Sequence, residues 1–600
     1  MLQLMLLHFL DLSSLTSNVT MDEIIYDKLS SLSEISKAQL EKILKTVPGC
    51  KHLIIEPSLI KPLERICGVS WLKSYGIEKI FKLYATITKD TQSTSLYMIY
   101  TNTSTFESVL QQIQSKVNSN QAEDSKYHII CVPKVLYFFE DIVEQNGLFN
   151  NVKLYSFQWF PIHLDQGILS LEMPSMFENI FIQDDYSLLP VFSKSLWHLF
   201  LSLGRPNFCL SLGKNANNIV KQLEESTSFG DSDIGGLIVI DRDMDYPGAL
   251  LTPATYSAML NEVFGVNSGV CKNETVNDSL LDEQCNKIIV KQAVNFVLDS
   301  KKDSVYKLIK DKHFFEVTEI LRHLTKDLKV QGETSDMALH EMKRYVQTKL
   351  QSVAQKKQFV ACHLNAAETL VHLLHSRLQK LFEVECDILQ NQSKSRSLTT
   401  LEEYLQTERD ATSAFALFLL LCTTQKCSHS EVKSFLTKFF IEFGYNHAHL
   451  YQKLVKTNII DSSSGNKLKL QLMSKSTFFS NANKLKQLNA EPDKVSLKNP
   501  TCCSYVYGGL YIPLIAQIAS LVLSGTPIED LKQKLLHFGE LAVSGKYFNA
   551  KKSLMVYIIG GITYSEIAAL NLLESMMGVK IIKVSDRIIS KNDIANAFIQ

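Results

Sequence analysis

The sequence predicts an α/β protein that carries a large helical insertion. Short apolar runs rich in β-branched residues alternate with helical patterns near both ends of the 600-residue chain, as they do in proteins with parallel sheets. Between them, from residue 256 to about residue 443, almost every apolar pattern has helical spacing. Because sheet signals flank the helical block on both sides, the simplest topology is an insertion, and the last hundred residues would complete a sheet begun before Asp245.

Length and composition exclude several classes of protein. Six hundred residues exceed the size at which one core stops growing, so several domains are expected. The 62 basic and 62 acidic residues balance, which argues against a protein that binds nucleic acid through a basic surface. The 12 cysteines form no Cys-x-x-Cys pair, so we expect reduced cysteines in the cytosol, with no zinc site and no disulfide scaffold. No run reaches 18 apolar residues, so no membrane-spanning segment is expected.

Two α/β domains are predicted around the helical block, the first at residues 21–151 and the second beginning at residue 152. Helices are expected through residues 141–146, after Pro133, and around residues 188–203. Strands are expected at the apolar runs of residues 53–55, 96–100, 128–132 and 167–172.

A charged cluster ends the first part of the second domain. Residues 237–240 are an apolar run typical of a strand buried on both faces, and Asp241, Asp243 and Asp245 follow at alternate positions. The period then becomes helical, with Thr252 as the expected N-cap and Pro253 at the first helical position. The chain therefore passes here from the sheet layer into a helical layer.

Three interpretations of the charged cluster remain open. It could be an Asp-x-Asp pair that binds a metal or a nucleotide sugar. It could resemble the haloacid-dehalogenase phosphatases, with Asp241 as nucleophile and Asp243 as general acid, although Asp245 stands where those enzymes need Thr or Val. It could be structural, with Arg242 paired to a carboxylate at the sheet edge, Asp241 being the expected partner.

A helical hairpin is predicted at residues 336–382. Its first helix spaces apolar residues by three and four positions at Leu339, Met342, Val346, Leu350 and Val353. Its second helix continues that spacing for three heptads at Val360, Leu364, Ala367, Val371, Leu374, Leu378 and Leu381. The pattern is typical of a coiled-coil seam, and an internal bundle helix would show it too.

The helical domain is placed at residues 246–499, and α/β signals return at residues 500–600. Residues 456–500 hold eight lysines against three acidic residues, which favours a solvated linker. Strands follow at residues 554–559 and 580–584, and Thr563 with Glu566 makes a capping box. Gly560 and Gly561 could cradle a phosphate at that helix start, but with no lysine nearby, close backbone packing is favoured.

Together these residues resemble the SM proteins, the Sec/Munc regulators of membrane fusion. Four segments carry the resemblance, namely residues 237–245, Thr255–Tyr256 with Glu262, residues 505–514 and residues 558–570. The resemblance spans roughly residue 48 to the end of the chain, and the last of the four segments is the most specific.

The resemblance implies an arch of three domains, two with parallel sheets and one helical and inserted. It also implies a protein without catalytic residues or cofactors, in which the hairpin templates SNARE helices. Structural roles would fall to Asp241, Arg242, Asp243, Asp245, Thr563 and Glu566. SNARE contacts would be made by Leu364, Val371, Leu374, Leu378 and Leu381.

Partners and location follow from one branch of that family. Its members sit in tethering complexes with an α-solenoid partner, and residues near Pro48 and Gly49 match them. We therefore expect a cytoplasmic SNARE-assembly factor at late endosomes and lysosomes, attached to the membrane through partners only and not to nucleic acid. The alternatives are a helical scaffold without SNARE contact and an Asp-nucleophile phosphatase.

Overall fold

The computed structural model describes most of the chain. The described residues are 25, 28–29, 31–84, 94–118, 127–224, 232–272, 295–330, 350–390, 394–425, 427–460, 478–545, 548 and 552–600. They fall into two compact units, the first within residues 1–163, 169–172 and 187–203, and the second within residues 164–168, 173–186 and 204–600.

The first unit contains a five-stranded parallel sheet in the order β2-β1-β3-β4-β5. Every residue of β1 and β4 is buried, as expected for strands covered on both faces. The predicted strands at 53–55, 96–100 and 128–132 are confirmed within a few residues. The strands are β1 Lys51–Ile55, β2 Ile77–Lys82, β3 Thr94–Tyr100, β4 Tyr127–Val132 and β5 Val152–Ser156.

Amphipathic helices cover this sheet. Phe106 and Phe139, from two of them, stack with ring centroids 4.0 Å apart, so the helices share one apolar core. The helices are α1 Leu32–Thr46, α2 Ile60–Ile66, α3 Val69–Ser74, α4 Thr103–Asn118, α5 Phe139–Gln145 and α6 Leu189–Leu203.

A seven-stranded sheet has the order β13-β8-β9-β14-β16-β7-β6. Within it, β14 lies between β9 and β16 and is parallel to both, with Ile558 opposite Ile240. This pairing confirms that the last hundred residues complete a sheet begun before Asp245. The strands are β6 Ile162–Asp165, β7 Ile168–Ser170, β8 Phe208–Leu212, β9 Ile234–Asp241, β10 Val266–Asn267, β11 Val270–Lys272, β12 Asn295–Val297, β13 Leu541–Gly545, β14 Ser553–Ile559, β15 Ile562–Thr563, β16 Ile581–Ser585 and β17 Ile588–Ile589.

The second unit is otherwise mostly helical. Among the described residues, no helix combines the length and the apolar character needed to cross a membrane. The helices are α7 Lys214–Glu224, α8 Pro247–Leu250, α9 Tyr256–Phe264, α10 Ser304–Ile309, α11 Phe314–Val330, α12 Leu350–Leu389, α13 Lys394–Glu408, α14 Ala411–Thr424, α15 His429–Phe443, α16 Leu450–Lys456, α17 Phe478–Lys484, α18 Leu514–Leu523, α19 Ile528–Leu535, α20 Tyr564–Met577 and α21 Lys591–Ile599.

Two local predictions are wrong. Helix α9 begins three residues later than expected, because Thr255 and not Thr252 has the extended conformation of its N-cap. Part of the expected linker is folded, since Phe478–Lys484 is a helix and the side chain of Gln487 donates to Tyr511 Oη (2.8 Å) from a buried position. Residues 461–477 of that linker lie outside the described residues.

The predicted boundaries of three domains, at residues 151/152, 245/246 and 499/500, stay a prediction. The two units do not divide the helical residues from the second sheet, because residues 204–600 belong to one unit. The fold class is confirmed, with two sheets built largely of parallel strands and a long helical stretch inserted between strands of the second.

Candidate functional site

The charged cluster follows strand β9, whose eight residues are all buried. A single 3₁₀ turn, Arg242–Met244, carries the chain away from the sheet edge. Of the three aspartates, Asp241 and Asp245 are buried and Asp243 is exposed. The 3₁₀ turn therefore places two of the carboxylates inside the protein and one at its surface.

Arg242 is only 1% exposed and pairs with Glu566. Its two terminal nitrogens donate to the two carboxylate oxygens of Glu566 at 2.9 and 2.8 Å, and one of them also donates to the carbonyl of Asp245 at 2.6 Å. The structural interpretation predicted such a pair but expected Asp241, which is wrong. Breaking a buried pair of this kind costs about 3–5 kcal/mol, because it leaves one charge uncompensated.

Glu566 also holds the start of helix α20. Thr563 N donates to Glu566 Oε2 (2.8 Å), and Glu566 N donates to Thr563 Oγ1 (3.1 Å). This confirms the predicted capping box. One carboxylate thus joins the turn after β9 to the helix after β14.

Asp245 fixes the segment that precedes helix α18. Its Oδ1 accepts from Tyr511 Oη (2.8 Å) and from Gly248 N (2.9 Å), and its Oδ2 accepts from Leu514 N (2.8 Å). Tyr507 Oη in turn donates to the carbonyl of Gly248. A carboxylate so fully bonded is a structural element, and its charge is offset by the donors that surround it.

Asp241 caps helix α7. Its two oxygens accept from Asn215 N and Ala216 N, each at 2.8 Å, and a Cβ at Gly213 would lie 2.5 Å from it. Burial and the nearby Asp243 raise the pKa of Asp241. A carboxylate buried this tightly has no open side for a phosphate, so the geometry favours the structural interpretation of Asp241 over a nucleophile.

Two other chemical interpretations find no support in the described residues. There, no three His, Cys, Asp or Glu side chains converge as ligands for a metal ion. The amides of Gly560 and Gly561 both donate to Asp586 Oδ1, at 2.8 and 3.1 Å, and a Cβ on Gly560 would lie 2.5 Å from Phe181. Close packing thus accounts for these glycines, and their amides are already used.

The predicted hairpin is only partly described. Of the predicted first helix, Leu339, Met342 and Val346 lie outside the described residues, as do the side chains of Leu350 and Leu374. The break expected between Val353 and Val360 is wrong, because both residues lie in one continuous helix, α12, which also contains the predicted second helix. Helix α12 runs for 40 residues. At the usual 1.5 Å per residue it is about 60 Å long, and it continues seven residues past the predicted end at residue 382.

The predicted seam on α12 divides into a buried and an accessible part. Val371 is 39% exposed and Leu364 is half-buried, whereas Leu378 and Leu381 are 9% and 3% exposed. Val360 and Ala367 are buried as well. The buried positions fit an internal bundle helix, and a coiled-coil seam at the accessible positions stays a prediction.

Two polar groups on α12 escaped the sequence analysis. His363 is completely buried, with Nδ1 3.0 Å from Tyr256 Oη and Nε2 3.0 Å from Asp303 Oδ2. Glu385 is also buried and accepts from Thr252 N. Glu385 follows Leu381 by four residues, so extending the seam by one turn would have placed it on the buried face.

Comparisons with known proteins agree with this arrangement. The model of the Sec1 family matches residues 51–597. Vacuolar protein sorting-associated protein 33B of Rattus norvegicus is 25% identical, over 92% of this chain and 94% of its own. Vacuolar protein sorting-associated protein 33 of Schizosaccharomyces pombe is 24% identical, over 91% of this chain and 94% of its own.

Solved structures share the fold. The SM protein Vps45 in complex with the Qa SNARE Tlg2 superposes with a TM-score of 0.57 at 14% identity, over 94% of this chain and 97% of its own. Unc18 from the Unc18–syntaxin 1 complex of Monosiga brevicollis gives 0.53 at 12% identity, over 94% and 99%. At these identities the likeness establishes the fold alone.

Proposed function

We propose that this chain, which belongs to the Sec1 family, binds SNARE proteins and promotes their assembly. The structural relatives support this proposal, because Vps45 was solved with the SNARE Tlg2 and Sly1p with an N-terminal peptide of Sed5p. The single observation that carries it in this chain is helix α12, which is long enough to lie along several turns of a SNARE helix.

The mechanism we propose is ordering by a template. Free SNARE segments lose conformational entropy when they form a helical bundle. A rigid helix that holds two of them in register takes up part of that cost before the bundle forms. Apolar residues spaced by three and four positions are the anchors that such helix-to-helix binding uses.

The exposures refine the proposed contact residues. Val371 and Leu364 are accessible as the protein stands, whereas Leu378 and Leu381 would contact a SNARE only after their covering elements move. Leu374 remains part of the proposed set. We assign the first contact to the part of α12 around Val371.

We further propose that the protein catalyses no reaction and needs no cofactor. It would act in the cytoplasm at late endosomes and lysosomes, within a tethering complex whose α-solenoid partner attaches it to the membrane. The relatives named 33B and 33 support the link to vacuolar sorting.

The binding surface is tested by Val371→Asp in a pull-down with helical SNARE segments. A charge on an exposed anchor should lower SNARE binding at least about tenfold, a loss of about 1.4 kcal/mol, and leave the melting temperature unchanged. The matched control is His372→Asp, which places the same charge on an exposed neighbour about 100° around the helix.

If both variants bound SNARE segments as strongly as wild type, α12 would not be the SNARE-binding surface. Mass spectrometry of proteins that co-purify with the tagged wild type tests the partner. Recovery of a solenoid protein without SNAREs would favour the helical scaffold instead.

A further inference from the structure

The C-terminal end of helix α12 is held by a buried carboxyl group, one oxygen of which makes no hydrogen bond to the described residues. Glu385 is 1% exposed. Its Oε1 accepts from Thr252 N (2.9 Å) and from Thr252 Oγ1 (2.6 Å). Its Oε2 is equally buried and has no hydrogen-bond partner among the described residues. Leaving an ionised oxygen in that state is costly.

The one cation beside Glu385 in the described structure is shared. Lys591 Nζ, on α21, donates to Thr252 Oγ1 (2.9 Å) and lies 3.8 Å from Glu262 Oε1, on α9. Two carboxyl groups thus face one ammonium group. We call Thr252, Glu262, Glu385 and Lys591 the Glu385 cluster. With both carboxyl groups ionised, it would hold one excess negative charge inside the protein.

The other charged groups nearby do not remove this imbalance. Asp593 on α21 adds a negative charge near Glu262, and Arg377 on α12 adds a positive one. Arg377, however, already pairs with Asp410 at the start of α14. Burial raises the pKa of Glu385 to about 7, although Lys591 and the bonds from Thr252 oppose the rise.

We propose that Glu385 is a proton-dependent anchor of helix α12. When its carboxyl group is neutral, Glu385 holds the C-terminal end of the helix against α21 and against the loop that contains Thr252. When ionised, it weakens that attachment, so the helix is held more firmly in acid than at neutral pH. Nothing in this inference requires a SNARE; only its consequence, SNARE binding that changes with pH, rests on the proposed function.

The direction follows from the two states of the carboxyl group. Once released, Glu385 has its ordinary pKa near 4.5, and in the anchored state its pKa is about 7. The anchored state therefore loses stability as the pH rises from about 4.5 to about 7, and little more is lost above that. With these two values, the equilibrium constant for local opening rises about tenfold between pH 6 and pH 8.

The first test compares the thermal melts of wild type and Glu385→Gln between pH 5 and pH 8.5. The amide cannot ionise, so the melting temperature of this variant relative to wild type should rise from pH 5 to about pH 7 and change little above that. The matched control is Glu383→Gln, an exposed residue two positions away on the same helix, whose difference from wild type should not change with pH. A constant difference for Glu385→Gln would overturn the proposal.

The second test uses wild type alone, in case the variant does not fold. Hydrogen exchange of peptides that cover residues 380–389 is measured at pH 6 and pH 8 and corrected for intrinsic rates. Opening should increase about tenfold there and remain unchanged in α4 of the first unit. Equal opening at both pH values would refute the anchor. Neither test involves a SNARE, so a failure of SNARE binding would count only against the proposed function.

Discussion

At the scale of single residues, this protein uses buried charge to join distant parts of its chain. Arg242 and Glu566 are 324 residues apart, and Glu385 and Thr252 are 133 apart. Sequence patterns identify such residues only when a local motif contains them. The capping box revealed Glu566, but nothing local revealed its second role as the partner of Arg242, since that pairing depends on how two strands meet.

Replacing Glu566 with Gln should therefore destabilise the second unit strongly. The variant keeps the shape of the side chain but removes the close counter-charge of the buried Arg242 guanidinium and leaves it the Asp245 carboxylate at 3.9 Å, at a cost of up to about 3–5 kcal/mol. We expect a large fall in the melting temperature or in the yield of folded protein. The control, Glu529→Gln, removes a carboxylate of α19 whose side chain is 84% exposed, and it should leave the melting temperature unchanged. Equal melts for both variants would contradict the role given to Glu566.

At the scale of elements, the periodicity of apolar residues predicts most strands and helices. The composition of polar segments, by contrast, does not predict which of their residues are buried. Strands β9 and β14 were evident because apolar runs buried on both faces have few other uses. The lysine content of the segment after α16 predicts a linker, yet Gln487 is buried in it. Likewise Glu385 has an ionisable side chain, which ordinarily indicates a solvated helix face. Polar residues inside a protein are defined by their partners, and partners are a property of the fold.

Helix α12 should depend on His363. His363→Leu leaves one oxygen of Asp303 without its partner and leaves Tyr256 Oη with only the backbone carbonyl of residue 363, at 3.5 Å, and a buried polar group that loses its partner costs about 1–3 kcal/mol. Asp303 retains its two bonds to Val305 N and Tyr306 N, so helix α10 should remain capped. The measurement is a chemical denaturation curve, with His372→Leu at an exposed site of the same helix as the control. Wild-type stability in His363→Leu would mean that this network contributes nothing.

At the scale of the whole molecule, the second sheet cannot be completed without the end of the chain. Strands β14 and β16 and the residues Glu566 and Lys591 all follow residue 500. The predicted order of sheet, helical insertion and sheet required only that α/β signals occur twice. Where the domains divide could not be obtained in the same way, because helical residues and sheet residues of the second unit share one compact body.

A fragment of residues 1–499 should therefore aggregate. It would expose one edge of β9 and leave Arg242 without Glu566. Co-expression of residues 500–600 as a separate chain is the control and should restore folded protein, since the missing strands can then pair. A soluble 1–499 fragment that unfolds cooperatively would show that the C-terminal residues form an independent domain.

The pairing of β9 with β14 also sets a schedule for biosynthesis. Ile240 cannot pair with Ile558, its partner in the sheet, until the ribosome has added 318 more residues. At about 5–20 residues per second this interval is roughly 16–64 s. During that time one edge of a strand that is entirely buried in the folded protein stays unpaired in the nascent chain, and exposed edges of this kind promote association with other chains. Production of this protein should therefore depend on chaperones that shield the half-made sheet until translation ends.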